Sequence, residues 1–407
     1  MTAPPALPRG FNDLAFANLA AQSAEQISLA AVPIVAVMLL GAGAGEVGLL
    51  SAAQTLPFLL LSIPIGLMAD RLSRKRLLVA AEVLRAAALV GLAWMAFSGQ
   101  VSLAGLALLG FVGATGTVGF SVTAPALVPA LVPREALSAA NGRLELARSL
   151  AFAGGPAVAG ALVAAAGAPG AFVLATALSA TAVALLWRLQ EPARVLAPRR
   201  HPWVELRQGA ATVWQHALLR PILLTAAAWN TAWFVLQAAY VPYAMTSLGL
   251  DATAVGFTLA CYGVGMVLGA LLAARVIRAL PYGQAVILGP AMSVLAALVM
   301  LASTAWPSGW LAGAAFFLFG VGPIVWTISS TTLRQHVTPG PLLGRVSSIF
   351  LTVNMGARPL GAALGAWIGM HQGPAACLLV AAAGFVLQLA VIVGSPVRTL
   401  RQLPAPA

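Results

Sequence analysis

Stretches such as AACLLVAAAGFVLQLAVIVG, residues 375–394, recur along this chain and restrict its fold more than any other feature. About 20 apolar residues of helix cross ~30 Å of hydrocarbon. Backbone groups in lipid must be satisfied within the segment or in a closed barrel, and the runs lack the ten-residue alternation of a barrel strand. Composition agrees, with 60% hydrophobic and only 8% charged residues, against about 25% charged in soluble domains. An all-α, polytopic membrane protein follows.

Breaking the runs at charges, prolines and glycine clusters predicts twelve transmembrane helices. They cover approximately 14–40, 46–68, 77–98, 102–127, 139–166, 170–189, 221–247, 253–278, 284–304, 308–332, 343–370 and 374–395. The polar, proline-rich start MTAPPALPRG precedes an apolar run too long for a cleaved signal peptide, so the first helix is expected to be retained.

The net charge of +12 raises the question of a nucleic-acid partner, and the distribution of the charge answers it. Alternate connections, among them SGQV, GAPG and MHQG, are short and free of Lys and Arg. The other connections and the two ends carry 20 of the 22 cations. Lys and Arg near helix ends stay cytoplasmic, so both termini are expected inside and the basic excess reads as topology. No nucleic-acid partner is expected. Cys261 and Cys377 lie in separate apolar spans as packing residues, with no metal site, cofactor or disulfide framework in view.

The longest connection divides the chain. Residues 1–190 form one expected six-helix bundle, 191–220 a cytoplasmic linker and 221–407 a second bundle. In the linker, Trp203, Leu206, Ala210, Val213, Trp214 and Leu218 recur at roughly helical spacing. This predicts a helix that either lies in the membrane interface or packs beneath the bundle. The halves echo each other: RSLAFAGGPAVAGAL in the fifth span is similar to VNMGARPLGAALGAW in the eleventh. Pseudo-symmetric halves of six helices are a transporter architecture.

Between the second and third spans lies GLMADRLSRKR, residues 66–76. It resembles the loop signature of the major facilitator superfamily at Gly66, Asp70, Arg71, Arg74 and Lys75, with Met68 and Ser73 as departures. The fifth span resembles that superfamily's antiporter signature at Gly155, Pro156 and Gly160, with Ala159 in place of a glycine. LVPREALSAANG and LLGRVSSIF look similar to the exporter branch, of macrolide-efflux and enterobactin-exporter type. The arginine that many proton-coupled drug exporters carry in the fourth span is absent from residues 102–127.

The resemblance implies the major facilitator fold and a bacterial cytoplasmic-membrane location. It also implies a conformational latch in which Asp70 meets the start of the eleventh span in one of two alternating states. A carboxylate at a helix N-terminus is stabilised by typically 0.3–1 kcal/mol; the alternative is that the cluster only orients its loop.

Glu25 is the one acid near the centre of a span, and Asn18 and Gln22 share its face. Such a group usually faces a bundle interior or a water-filled cavity. Its carboxylate serves a proton, a cationic substrate group, or an arginine partner. In the seventh span Asn230, Trp233, Gln237 and Tyr240 share a face with Phe234, either lining a cavity or packing. Arg358 follows Asn354 by one turn and needs a partner, since a buried unpaired guanidinium is improbable. Glu25, an anionic substrate and backbone carbonyls are the candidates. Arg85 stands one turn after Glu82, an i,i+3 ion pair.

The expected function is secondary active export of a small, partly apolar molecule by alternating access, with protons as coupling ion and a monomer as working unit. Importer, facilitator and lysolipid flippase of the same fold are alternatives, and a transport-incompetent receptor a further one. No G-x-x-x-x-G-K-[ST] loop and no histidine cluster occur, so neither an ATPase nor an enzyme is expected.

Overall fold

The structure is a computed structural model that describes residues 8–133, 136–191, 202–339 and 342–404. Eleven helices follow in order: α1 (Arg9–Leu40), α2 (Ala44–Arg71), α3 (Arg74–Phe97), α4 (Leu103–Leu131), α5 (Leu137–Arg188), α6 (Pro202–Gln215), α7 (Leu219–Thr246), α8 (Ala252–Ala279), α9 (Tyr282–Ala305), α10 (Gly309–Val337) and α11 (Leu343–Val393). Among the described residues, ten of these are long and apolar enough to cross a membrane.

Local chemistry sets the joints. The Ser73 side chain accepts the Arg76 amide at the start of α3, and Ser102 accepts the Gly105 amide at the start of α4. Both satisfy N–H groups that have no partner inside the helix. Gly41 ends α1 in the left-handed conformation that closes a helix.

The connections expected at GAPG and MHQG are bends inside single helices. At 52 residues α5 would run about 78 Å if straight, far more than a bilayer is thick. It breaks at Gly167 (φ 70°, ψ −178°), and α11 breaks at Gly373 (φ 79°, ψ 179°). This backbone region is open essentially to glycine alone, and a proline follows closely in each case, Pro169 and Pro374. Gly167→Ala and Gly373→Ala are each expected to cost about 1–3 kcal/mol, read as thermal stability of the detergent-solubilised protein. Gly142→Ala, where an added Cβ meets nothing within 4 Å, should melt with wild type. If the three behave alike, the bends do not depend on glycine.

The chain divides into two compact units. The first comprises Met1–Ala42, Ala53–Pro198 and Asp251–Ala260. In it α1 packs along α5, and α3 packs on α4 and α5, around a core that includes Phe11, Leu14, Leu78, Phe120 and Leu186. The second comprises Gly43–Ala52, Arg199–Leu250 and Cys261–Ala407. There α11 packs along α7 and α9, and α10 along α9. Its aromatic core has Trp233 in contact with Tyr262, Phe316 and Phe319, and Phe319 with Phe385.

Within the second unit, α6 lies on the start of α11. A Cβ at Gly209 would come within 2.7 Å of the Arg345 carbonyl oxygen, and Arg345 donates to the Gln208 side-chain oxygen at 2.6 Å. Val213 is buried with Leu219, Val346 and Phe350, whereas Trp214 is exposed. The linker helix is thus packed beneath a bundle at its C-terminal end. The side chains of Trp203 and Leu206 lie outside the described residues.

Candidate functional site

The charged joint is shorter than its sequence suggests: α2 ends at Arg71 and α3 begins at Arg74. Its N–H groups are claimed by an acid 117 residues further on. Glu191, just past the end of α5, accepts the backbone amides of Arg74 (2.9 Å) and Lys75 (3.1 Å) and the hydroxyl of Ser73. Arg74 also donates from its guanidinium to the Ala126 carbonyl of α4. The joint is therefore tied to α4 and to the end of α5 within its own unit. The side chain of Asp70 lies outside the described residues, and Arg71 is exposed. A Cβ at Gly66 would meet only Val122, at 3.9 Å, so close packing does not call for glycine here.

Glu191→Ala is expected to cost about 1–2 kcal/mol and to speed hydrogen exchange at the Arg74 and Lys75 amides. Unchanged exchange would rule out the cap. The only signal for it in the sequence was an acid and a proline directly after the sixth span.

The antiporter-like residues have a packing role that can be read directly. At Gly155 a Cβ would lie 2.5 Å from Gln26 Cβ of α1. At Gly160 it would lie 2.3 Å from the Ala252 carbonyl and 3.0 Å from Gly256 Cα, at the start of α8. Gly256 returns the contact, 2.5 Å from the Pro156 carbonyl. The second unit repeats the arrangement: Gly361 approaches the Thr231 carbonyl of α7 (2.4 Å), and Gly48 of α2 approaches Ala366 of α11 (2.6 Å). The echo between the fifth and eleventh spans thus reflects one packing scheme used twice.

On α1, Asn18 is buried and donates to the Leu144 carbonyl of α5 at 3.3 Å. Gln22 and Glu25 are half-buried. On α7, Asn230 donates to the Ala226 carbonyl at 3.0 Å. Tyr240 is fully buried with its ring against Phe316, and Trp233 is stacked on Trp229 at 5.3 Å. These three belong to the interior of the second unit, while Gln237 is half-buried. Arg358 lies over the Phe234 ring at 5.8 Å, a cation–π placement that offsets some of the cost of burial. Among the described residues no hydrogen-bond partner reaches Trp229 Nε1 or Asn354 Oδ1. Buried polar atoms are rarely left so.

The Glu82–Arg85 pair is present and reaches further than its spacing suggests. The two side chains are 3.1 Å apart and almost wholly buried. Arg85 also donates to the Ala21 carbonyl of α1 (2.9 Å), and Ser179 of α5 donates to Glu82 (2.6 Å). Sequence spacing had no means of finding Ser179 or Ala21. His216, between α6 and α7, accepts the Leu218 amide at 3.1 Å and so caps the start of α7. Burial holds its imidazole pKa below the ordinary 6.5, which keeps the accepting neutral form at neutral pH. Among the described residues no cluster of metal-ligating side chains occurs.

The sequence model of the Major Facilitator Superfamily matches residues 14–362. The chain is 28% identical over 345 residues to the enterobactin exporter EntS of Salmonella typhimurium, covering 83% of this chain and 81% of that protein. To the enterobactin exporter EntS of Escherichia coli O1:K1 it is 29% identical over 349 residues, with the same coverage. Among solved structures it resembles a bacterial homologue of the iron transporter ferroportin in an inward-facing state. There the TM-score is 0.75 and the identity 17%, over 96% of this chain and 99% of that one. A POT family transporter in complex with a thioalcohol-conjugated peptide gives a TM-score of 0.78 at 13% identity, over 96% of this chain and 97% of that one.

Proposed function

The chain belongs to the major facilitator superfamily, and from that premise we propose that it is a proton-coupled exporter of a small, partly apolar molecule. In this reading it crosses the bacterial cytoplasmic membrane twelve times, because each arm of the bent helices α5 and α11 counts as a span. It then forms two six-helix halves with the linker 191–220 between them, both termini inside. One observation carries the direction: the similarity to two proteins named as exporters extends over 83% of this chain. The cargo class is a drug-like compound or a siderophore-like metabolite.

Alternating access requires an element with two states and a ligand that distinguishes them. Glu25 is the proposed proton carrier, since an ionisable group within a spanning helix is costly unless it has work to do. Gln22 and Gln237 are the proposed cargo-facing amides. Arg358, Asn354 and Trp229 offer the charge, acceptor and donor of a polar cargo contact, and Phe234 offers a ring face. Gly66, Asp70, Arg71, Arg74 and Lys75 are the proposed latch, with Glu191 holding the joint in position.

The test uses proteoliposomes with an imposed pH gradient and a panel of labelled aromatic and siderophore-like compounds. Wild type should drive at least one compound against its concentration gradient, in the direction opposite to proton flow. Glu25→Gln should keep downhill exchange and lose accumulation, about tenfold or more, because a neutral amide cannot carry the proton. Accumulation that survives Glu25→Gln removes Glu25 from coupling. Cargo moving in the same direction as protons overturns export.

A further inference from the structure

α1 presents two faces within the first unit. At 100° per residue, Phe16, Leu19 and Ser23 point about 125° around the helix from Asn18, Gln22 and Glu25. With Leu150, Leu178 and Leu185 of α5 they line an open groove of about 490 Å³. That volume lies within the range of small-molecule sites. Phe16 is 58% exposed and Leu150 52%. Of the lining hydroxyls, that of Thr181 is turned back on the Ala177 carbonyl at 2.8 Å. The groove offers apolar contact and almost no unmet hydrogen bonding, which suits a hydrocarbon chain and no polar cargo.

Charge collects at one end of it. Arg143 precedes Leu150 by seven residues, on the same helix face, and Arg188 follows Leu185 by three. Both are exposed. Asn12, one turn before Phe16, accepts the Arg143 guanidinium at 3.0 Å, so the start of α1 meets the start of α5 there. Glu145 is taken up by Arg148. An apolar groove with cations beyond one end has the polarity of an anionic lipid. We propose that this groove binds one acyl chain of an anionic glycerophospholipid, with its phosphate held by Arg143 and Arg188. A surface cation near a phospholipid phosphate adds modest affinity, and two acting together amount to roughly 30-fold.

The experiment is native mass spectrometry of the full-length protein, titrated in detergent with phosphatidylglycerol or with phosphatidylethanolamine of identical chains. Wild type should retain one phosphatidylglycerol at roughly 30-fold lower lipid concentration than phosphatidylethanolamine. Arg143→Gln with Arg188→Gln should erase that preference, and Arg143→Lys with Arg188→Lys should restore most of it. Leu150→Glu should weaken retention of both lipids, while thermal stability shows that each variant is folded. Equal retention of the two lipids by wild type overturns the proposal. So does a preference that survives the double glutamine variant, or retention unaffected by Leu150→Glu.

Discussion

Arg85→Met is expected to cost about 3–5 kcal/mol, the penalty for leaving a buried charge without its partner. Glu82 is fully buried in the first unit. Once the guanidinium is gone, the Ser179 hydroxyl remains its one close polar contact among the described residues. The Ala21 carbonyl loses its donor in the same step, so three helices lose a shared fastening. Against a typical total stability of 5–15 kcal/mol, the loss should show as sharply reduced yield and early aggregation in fluorescence-detected size-exclusion chromatography. The double variant Glu82→Met with Arg85→Met removes both charges, and buried ion pairs replaced by apolar residues are often neutral. It should therefore recover most of the loss. Arg85→Met melting within about 1 kcal/mol of wild type would mean that the pair is solvated and unimportant. A double variant as unstable as the two single losses combined would mean that the charges are not coupled.

Gly160→Leu is the second large effect. A Cβ at 2.3 Å from a backbone oxygen and 3.0 Å from another Cα has no flexible side chain to push aside; one of the two helices must move. Overpacking of this kind costs about 1–3 kcal/mol. Transport is expected to fall at least tenfold, because the close crossing of α5 on the start of α8 is forced apart. Gly48→Leu in the second unit should behave the same way, since it meets Ala366 backbone at 2.6 Å. Gly154→Leu, with nothing within 4 Å of its Cβ, serves as the matched control and should transport at close to the wild-type rate. If Gly160→Leu is indistinguishable from Gly154→Leu in a transport assay, the close crossing is dispensable.

The same residues show how far the sequence could be read. Helix content, span positions and the charged joint follow from hydropathy and charge, both of which act over one or two turns of chain. The i,i+3 spacing of Glu82 and Arg85 was likewise visible, because both partners stand on one helix. Glu191 as the cap of α3, and Ser179 and Ala21 as partners of that ion pair, were not visible. Each lies tens of residues or more from what it touches, and no periodicity links them. Tyr240 and Trp233 were ambiguous for a related reason. An aromatic face in an apolar helix looks the same whether it meets a cavity or a neighbouring ring; the structure adds that Trp233 meets Phe316 and Phe319, and Tyr240 meets Phe316, within the second unit.

By itself, the sequence determined that this chain lives in a membrane as a series of helices, since burying 60% hydrophobic residues beside 8% charged ones leaves no other solvent. It also marked where the apolar runs are interrupted, at GAPG and MHQG, while the backbone bends at Gly167 and Gly373 came from the structure. The tertiary structure alone decided which distant groups meet: Glu191 with the start of α3, Gly160 with Gly256, Ser179 with Glu82. Hydropathy and backbone sterics are local properties of a chain, whereas hydrogen-bond partners and close helix crossings are set by where separate helices come to rest.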